Sequence, residues 1–289
     1  MDEEILDFSV QTNTTCNFQC DHCMFSCGPR GRWMTIETAE KVVGLLTEGN
    51  PNGNAIFGGA YGGEPFINLN KFTELLGVLK PLMVQNETMF ISSNGSFLTS
   101  ESKTEKIINA LSAFGVGFTV RISNTAYHQR HWRWSSSPCK TPGWLYLSEC
   151  YDKNLEMYIE KYFPDRDYQM NPSGRALENQ VYAENHRGCG MLYALIDNIA
   201  DKDLTVYADG RIGVCCYCES GTIGNVHEIE SIEDVRGRLE AFLAEFHQKL
   251  IESEVWRDDF KKMDFAETCE ICRSINLNRK GTKNAQRRY

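Results

Sequence analysis

From Ile5 to about Phe163 the chain switches repeatedly between short β-rich runs and apolar positions spaced as on one face of a helix. The β-rich runs predict strands at Leu6–Thr12, Asn54–Phe57, Thr88–Ser92 and Gly117–Ser123, and a further one at Asp167–Met170. Helices are predicted between them over Ile36–Thr47, Leu69–Met83, Glu101–Phe114 and Ser148–Tyr162. Repeated β/α units imply a parallel sheet. Right-handed crossovers then gather the strand-to-helix loops at one end of that sheet, where α/β enzymes assemble their sites.

Beyond Asn171 the rhythm changes. "LTVYADGRIGVCCY" is two β-rich runs around Asp209-Gly210, a hairpin signal. In the following stretch Ile232, Val235, Leu239, Phe242, Leu243, Phe246 and Leu250 keep helical spacing, with Ser231 placed to cap. A hairpin, a helix and a closing "CEIC" suggest a small appended module, so the expected division is 1–175, 176–272 and a basic tail, 273–289.

Length and composition narrow the class. A chain of 289 residues suits one domain with a modest extension. It has no run of about 18 apolar residues, and "MDEE" has neither the basic nor the apolar part of a signal peptide. The expectation is a cytoplasmic protein that uses no membrane. Net charge is −9, yet residues 273–289 carry six Lys/Arg and no acid, which leaves −15 on the rest. A solvated terminus accounts for that tail, and a nucleic-acid partner is not expected. Twelve cysteines in a reducing compartment point to metal or redox chemistry rather than to a disulfide framework.

Four of those cysteines lie in "TTCNFQCDHCMFSCGP", directly after the first predicted strand. Cys16, Cys20 and Cys23 are spaced C-x3-C-x2-C, which lets three thiolates reach three irons of a cubane cluster and leaves a fourth iron without a protein ligand. Zinc is the alternative, since thiolates at such spacing also suit a tetrahedral ion. Cys27 stands outside the spacing and is expected to be a thiol near the site.

This stretch resembles the radical S-adenosylmethionine (SAM) superfamily, with His22 where the family usually has an aromatic residue. Three further segments carry the resemblance, in order, on successive strand ends. "GGEP" (Gly62–Pro65) occupies the place of the family's SAM-amino motif, "SSNG" (Ser92–Gly95) resembles its "TNG" ending, and "RIS" (Arg121–Ser123) falls where the family contacts the SAM ribose or carboxylate. The resemblance covers roughly residues 5–175. It implies a partial (β/α)6 TIM-like barrel within the α/β class. It also implies a 4Fe-4S cluster on Cys16, Cys20 and Cys23, with SAM contacts from Gly62, Gly63, Glu64, Asn94 and Ser123. Such enzymes cleave SAM reductively to a 5'-deoxyadenosyl radical, with electrons from an external one-electron reductant such as flavodoxin or ferredoxin.

The later cysteines resemble the twitch and SPASM extensions, in which a hairpin and helix hold auxiliary 4Fe-4S clusters. That resemblance implies a small C-terminal α+β extension with one auxiliary cluster on Cys189, Cys215, Cys269 and Cys272, zinc on the same four being the alternative. Successive strand residues face opposite ways, so if Cys215 is the ligand, Cys216 is left unligated. "CDHCMFS", "ISNTAYH", the paired cysteines and the terminal C-x2-C resemble radical SAM epimerases of ribosomally made peptides, which implies Cys216 as a hydrogen donor, with Cys218 a second candidate. The substrate implied is a peptide, an amino sugar or another small molecule. Oxidation or peptide cross-linking, with the auxiliary cluster as electron acceptor, is the rival outcome. Tyr127–Trp144, rich in His, Arg and Trp, is either a lid over the substrate or a packed loop, and "NPSGRA" (Asn171–Ala176) is a further candidate contact. The first strand begins so near residue 1 that no separate peptide-recognition domain is expected ahead of it.

Overall fold

The computed structural model describes residues 6–21, 23, 25–49, 62–83, 89–123, 128, 155–159, 202–214 and 221–252. Among the described residues two sheets are present. The first joins β1 (Leu6–Val10), β5 (Lys202–Val206), β6 (Arg211–Gly213) and β7 (Thr222–Asn225) in that order. The second joins β2 (Met89–Ser93), β3 (Phe118–Ile122) and β4 (Leu155–Ile159), all parallel. The helices are α1 (Ile36–Gly49), α2 (Leu69–Met83), α3 (Glu101–Ser112) and α4 (Ile232–Glu252). The strands expected at Asn54–Phe57 and Asp167–Met170 lie outside the described residues.

Burial alternates along β2, while along β3 Thr119 is buried as well and only Arg121 is exposed. Met89, Ile91, Phe118, Val120 and Ile122 are buried, whereas Phe90 and Arg121 on the other face are exposed. Leu75, Leu76 and Leu79 of α2 and Ile107 and Leu111 of α3 join these strands in one apolar core with Phe8, Leu204, Phe242 and Phe246. Each fully buried Leu or Phe contributes roughly 1.5–3 kcal/mol. The helices form a continuous run: α4 packs on β7 and α1, α1 on α2, α2 on α3, and α3 on β4. Ser231 caps α4 as expected, accepting the Asp234 N–H at 3.3 Å. No described helix is long and apolar enough to cross a membrane.

One element differs from the sequence reading. The helix expected over Ser148–Tyr162 is contradicted at Leu155–Ile159, which forms β4 and pairs with β3 from Phe118↔Leu155 to Ile122↔Ile159. Leu155, Met157 and Ile159 alternate with Glu156 and Tyr158, a period of two, and Met157 is buried. The edge of β3 supplies backbone partners that a strand can use, so tertiary pairing overrides local helix preference.

The hairpin at Asp209-Gly210 forms as expected. Gly210 has φ +83°, and the Asp209 carboxylate holds the Arg211 guanidinium at 2.8 Å. Its first strand, β5, also pairs in parallel with β1 from Leu6↔Lys202 to Val10↔Val206. The hairpin thus continues the sheet that the first strand begins, beside the cysteine loop.

Candidate active site

The loop after β1 is closed by backbone hydrogen bonds. Thr14 N–H donates to Arg32 C=O at 2.7 Å, Cys16 N–H to Gly28 C=O at 2.9 Å, and Met34 N–H to Thr12 C=O at 2.8 Å. Inside that stem the chain turns tightly: Cys23 N–H donates to Cys20 C=O at 3.1 Å, and Ser26 N–H to Cys23 C=O at 3.3 Å. Ser26 adopts φ +51°, a left-handed conformation that a turn this short imposes on a residue other than glycine.

Cys16, Cys20 and Cys23 are half-buried thiols on this one loop. Their sulfurs are met by donors: Phe18 N–H lies 3.4 Å from Cys16 Sγ, and Cys27 N–H lies 3.3 Å from Cys23 Sγ. Donors aimed at sulfur favour the thiolate, the form that binds metal. Among the described residues no three Cys, His, Asp or Glu side chains are grouped as they would be around a single ion. Cys27 is buried and directs its thiol to the Phe25 C=O at 3.7 Å, while its N–H meets Cys23 Sγ.

The Gly62–Glu64 segment lies directly on the base of this loop. Gly63 N–H donates to Asn13 C=O and Glu64 N–H to Thr15 C=O, each at 2.8 Å. A Cβ on Gly63 would stand 2.1 Å from the Thr15 carbonyl oxygen, and Gly62 has φ +127°. Close backbone approach, not turn flexibility alone, explains the glycine pair. Asn13 reinforces the contact, its side-chain amide donating to Thr15 C=O at 3.0 Å and to Glu64 C=O at 3.3 Å.

Glu64 is buried beneath the loop. Its carboxylate accepts the Ser93 hydroxyl at 3.0 Å, the Asn94 N–H at 2.7 Å and the Phe66 N–H at 3.2 Å. Burial pushes its pKa from an ordinary 4.5 up to about 7, and those same donors pull against the rise. Asn94 turns its side chain toward the cysteines, with Nδ2 at 2.9 Å from Asn17 Oδ1 and 3.5 Å from Cys16 Sγ. Ser123, at the end of β3, donates its N–H to Ser93 C=O at 2.8 Å. Cys16, Glu64 and Asn94 are thereby brought into one connected site.

Residues 10–137 match the family model described as the radical SAM superfamily. That stretch is similar to the radical SAM superfamily domain. Over 226 residues it is 28% identical to the peptide biosynthesis protein YydG of Bacillus subtilis (strain 168), an alignment covering 78% of this chain and 61% of YydG. The chain therefore spans less than two thirds of that relative's length. Among solved structures, BtrN in complex with AdoMet and 2-DOIA aligns with a TM-score of 0.53 at 17% identity, over 84% of this chain and 87% of that one. The likeness is one of fold, a partial TIM-barrel-like α/β arrangement.

Within the matched stretch the Cys16 thiol is pushed up to about 11. Burial is the largest cause, the Phe18 and Asn94 hydrogen bonds oppose it, and the Glu64 and Cys23 charges add to it. Binding of metal at Cys16 must therefore displace a firmly held proton. Ser93 belongs to the "SSNG" segment read from sequence, whereas Asn13 and Asn17 are part of this framework and were not assigned a role from sequence, because an isolated Asn beside a motif carries no periodic signal. His128, the last residue of "ISNTAYH", is buried with its ring 6.1 Å from that of Phe18 in the cysteine loop. Cys139, Cys150, Cys189, Cys215, Cys216, Cys218, Cys269 and Cys272 lie outside the described residues, as does most of Tyr127–Trp144 and all of Asn171–Ala176.

Proposed function

We propose that this protein is a radical SAM enzyme that inverts a carbon centre in a peptide. The observation that carries the reading is the loop of three thiols at the end of a parallel strand, with N–H donors turned onto Cys16 and Cys23 and the Gly62–Glu64 segment seated on its base. When bound, a 4Fe-4S cluster and SAM supply a reductive cleavage whose 5'-deoxyadenosyl radical takes hydrogen from an unactivated C–H bond. Cys16, Cys20 and Cys23 would hold three irons and leave the fourth for SAM. Gly62, Gly63, Glu64, Asn94 and Ser123 frame the place of SAM, with Glu64 and Asn94 locking two loops together. The similarity to YydG, named for peptide biosynthesis, supports a peptide over a sugar.

Cys216 is the proposed hydrogen donor, and Cys189, Cys215, Cys269 and Cys272 the ligands of an auxiliary cluster in a module spanning 176–272. Cys216 would give the hydrogen atom of its S–H to the substrate carbon on the face opposite to that from which hydrogen is removed. The resulting thiyl regains one electron and one proton through a flavodoxin- or ferredoxin-type reductant and solvent.

Turnover of a candidate peptide in deuterium oxide tests the reading. One deuteron at an inverted α-carbon is expected, and Cys216→Ala should stop inversion while SAM cleavage continues. A product lighter by two hydrogens would instead establish oxidation, with the auxiliary cluster as acceptor.

A further inference from the structure

We propose that the Asn94 carboxamide sets the reduction potential of the cluster held by Cys16, acting as a hydrogen-bond donor to that ligand's sulfur. The proposal rests on the assignment of Cys16, Cys20 and Cys23 as cluster ligands. Asn94 Nδ2 lies 3.5 Å from Cys16 Sγ, a separation that an N–H···S bond spans. The carboxamide is held from both ends and through its own backbone. Its Oδ1 accepts the Ser96 N–H at 2.9 Å, its Nδ2 also donates to Asn17 Oδ1 at 2.9 Å, and its backbone N–H is fixed on the buried Glu64 at 2.7 Å. With Oδ1 and Nδ2 both committed, the amide cannot flip, so a donor faces the sulfur.

The physical effect has a definite sign. One-electron reduction adds negative charge to the cluster and its thiolates, and a donor on a thiolate stabilises the more negative state. Hydrogen bonds to the sulfurs are one of the terms that set cluster potentials. Asn94 is 7% exposed, and a contact this sheltered is weakly screened. Asn94 is thus a positioning residue that acts through Cys16. It links the loop after β2 to the ease with which the cluster accepts its electron.

The test is a potentiometric titration, followed by electron paramagnetic resonance, of anaerobically reconstituted full-length protein without SAM, comparing wild type with Asn94→Leu. At equal iron and sulfide content, the variant's reduction equilibrium constant should fall about three- to tenfold, tenfold being about 59 mV for a one-electron couple. Equal potentials in fully loaded proteins would overturn the proposal. Wild-type protein that assembles no cluster would overturn the ligand assignment itself, and this proposal with it. Should Asn94→Leu fail to load, Asn17→Ala replaces it, since Asn17 is exposed and its loss releases the amide. A smaller fall in the same direction is expected there, and no fall would count against the proposal equally.

Discussion

The carboxylate of Glu64 accepts the backbone N–H of Asn94 at 2.7 Å, joining segments 30 residues apart beneath the cysteine loop. The same carboxylate takes the Ser93 hydroxyl, so the acidic residue of the "GGEP" segment clamps two loops in place.

Removing that clamp should be costly. Glu64→Ala leaves the Ser93 hydroxyl and the N–H groups of Asn94 and Phe66 without their acceptor. Each buried donor left unmet costs about 1–3 kcal/mol, partly offset by no longer burying a carboxylate. A net loss of about 2 kcal/mol is expected in urea unfolding of the metal-free protein. Glu64→Gln keeps one acceptor oxygen and should lose less.

Glu64 also gives stability a pH dependence. A carboxyl lifted to about 7 when folded, against 4.5 ordinarily, binds its proton more tightly in the folded state. Its contribution is complete below the unfolded value and is lost as pH rises through the folded one. A loss on the order of 3 kcal/mol between acid and neutral pH follows at about 1.4 kcal/mol per pH unit. Subtracting the Glu64→Gln stability curve from that of wild type isolates it. A difference curve that stays flat from pH 4.5 to 8 would refute the buried, proton-binding carboxyl.

Gly63→Ala should damage the site from its base. The new methyl would stand 2.1 Å from the Thr15 carbonyl, a backbone atom one residue from Cys16, so the segment has to lift. Overpacking of this kind costs about 1–3 kcal/mol. A lowered melting temperature together with reduced iron uptake is the expected pair of readings.

The four thiols of the loop should separate cleanly. Alanine at Cys16, Cys20 or Cys23 should abolish iron binding at this loop, whereas Cys27→Ala should keep it. Only a small packing cost follows, because the Cys27 contact to Cys23 runs through the backbone N–H. Iron and acid-labile sulfide analysis of each variant, made where the later cysteines are replaced, checks this. A Cys27→Ala protein without iron would place that thiol in the ligand set after all.

Most elements whose signal is local were legible in the sequence: α1 to α3, the Ser231 cap of α4, and the Asp209-Gly210 hairpin. Their cues lie within one or two turns of chain, where periodicity and capping operate. The cysteine spacing was legible for the same reason, since Cys16, Cys20 and Cys23 lie on one short loop of contiguous sequence. The segment at Leu155–Ile159 was misjudged because its strand state depends on β3, more than thirty residues away.

By itself the sequence determined the cysteine loop, the repeated β/α pattern and the match to a radical SAM domain, because each is written in contiguous residues. Tertiary structure alone decided that β5 lies against β1, that Glu64 is buried, and that Asn94 meets Cys16 across 78 residues. Strand partners, desolvation and hydrogen bonds to sulfur belong to pairs of distant segments. No local spacing encodes which pairs will meet.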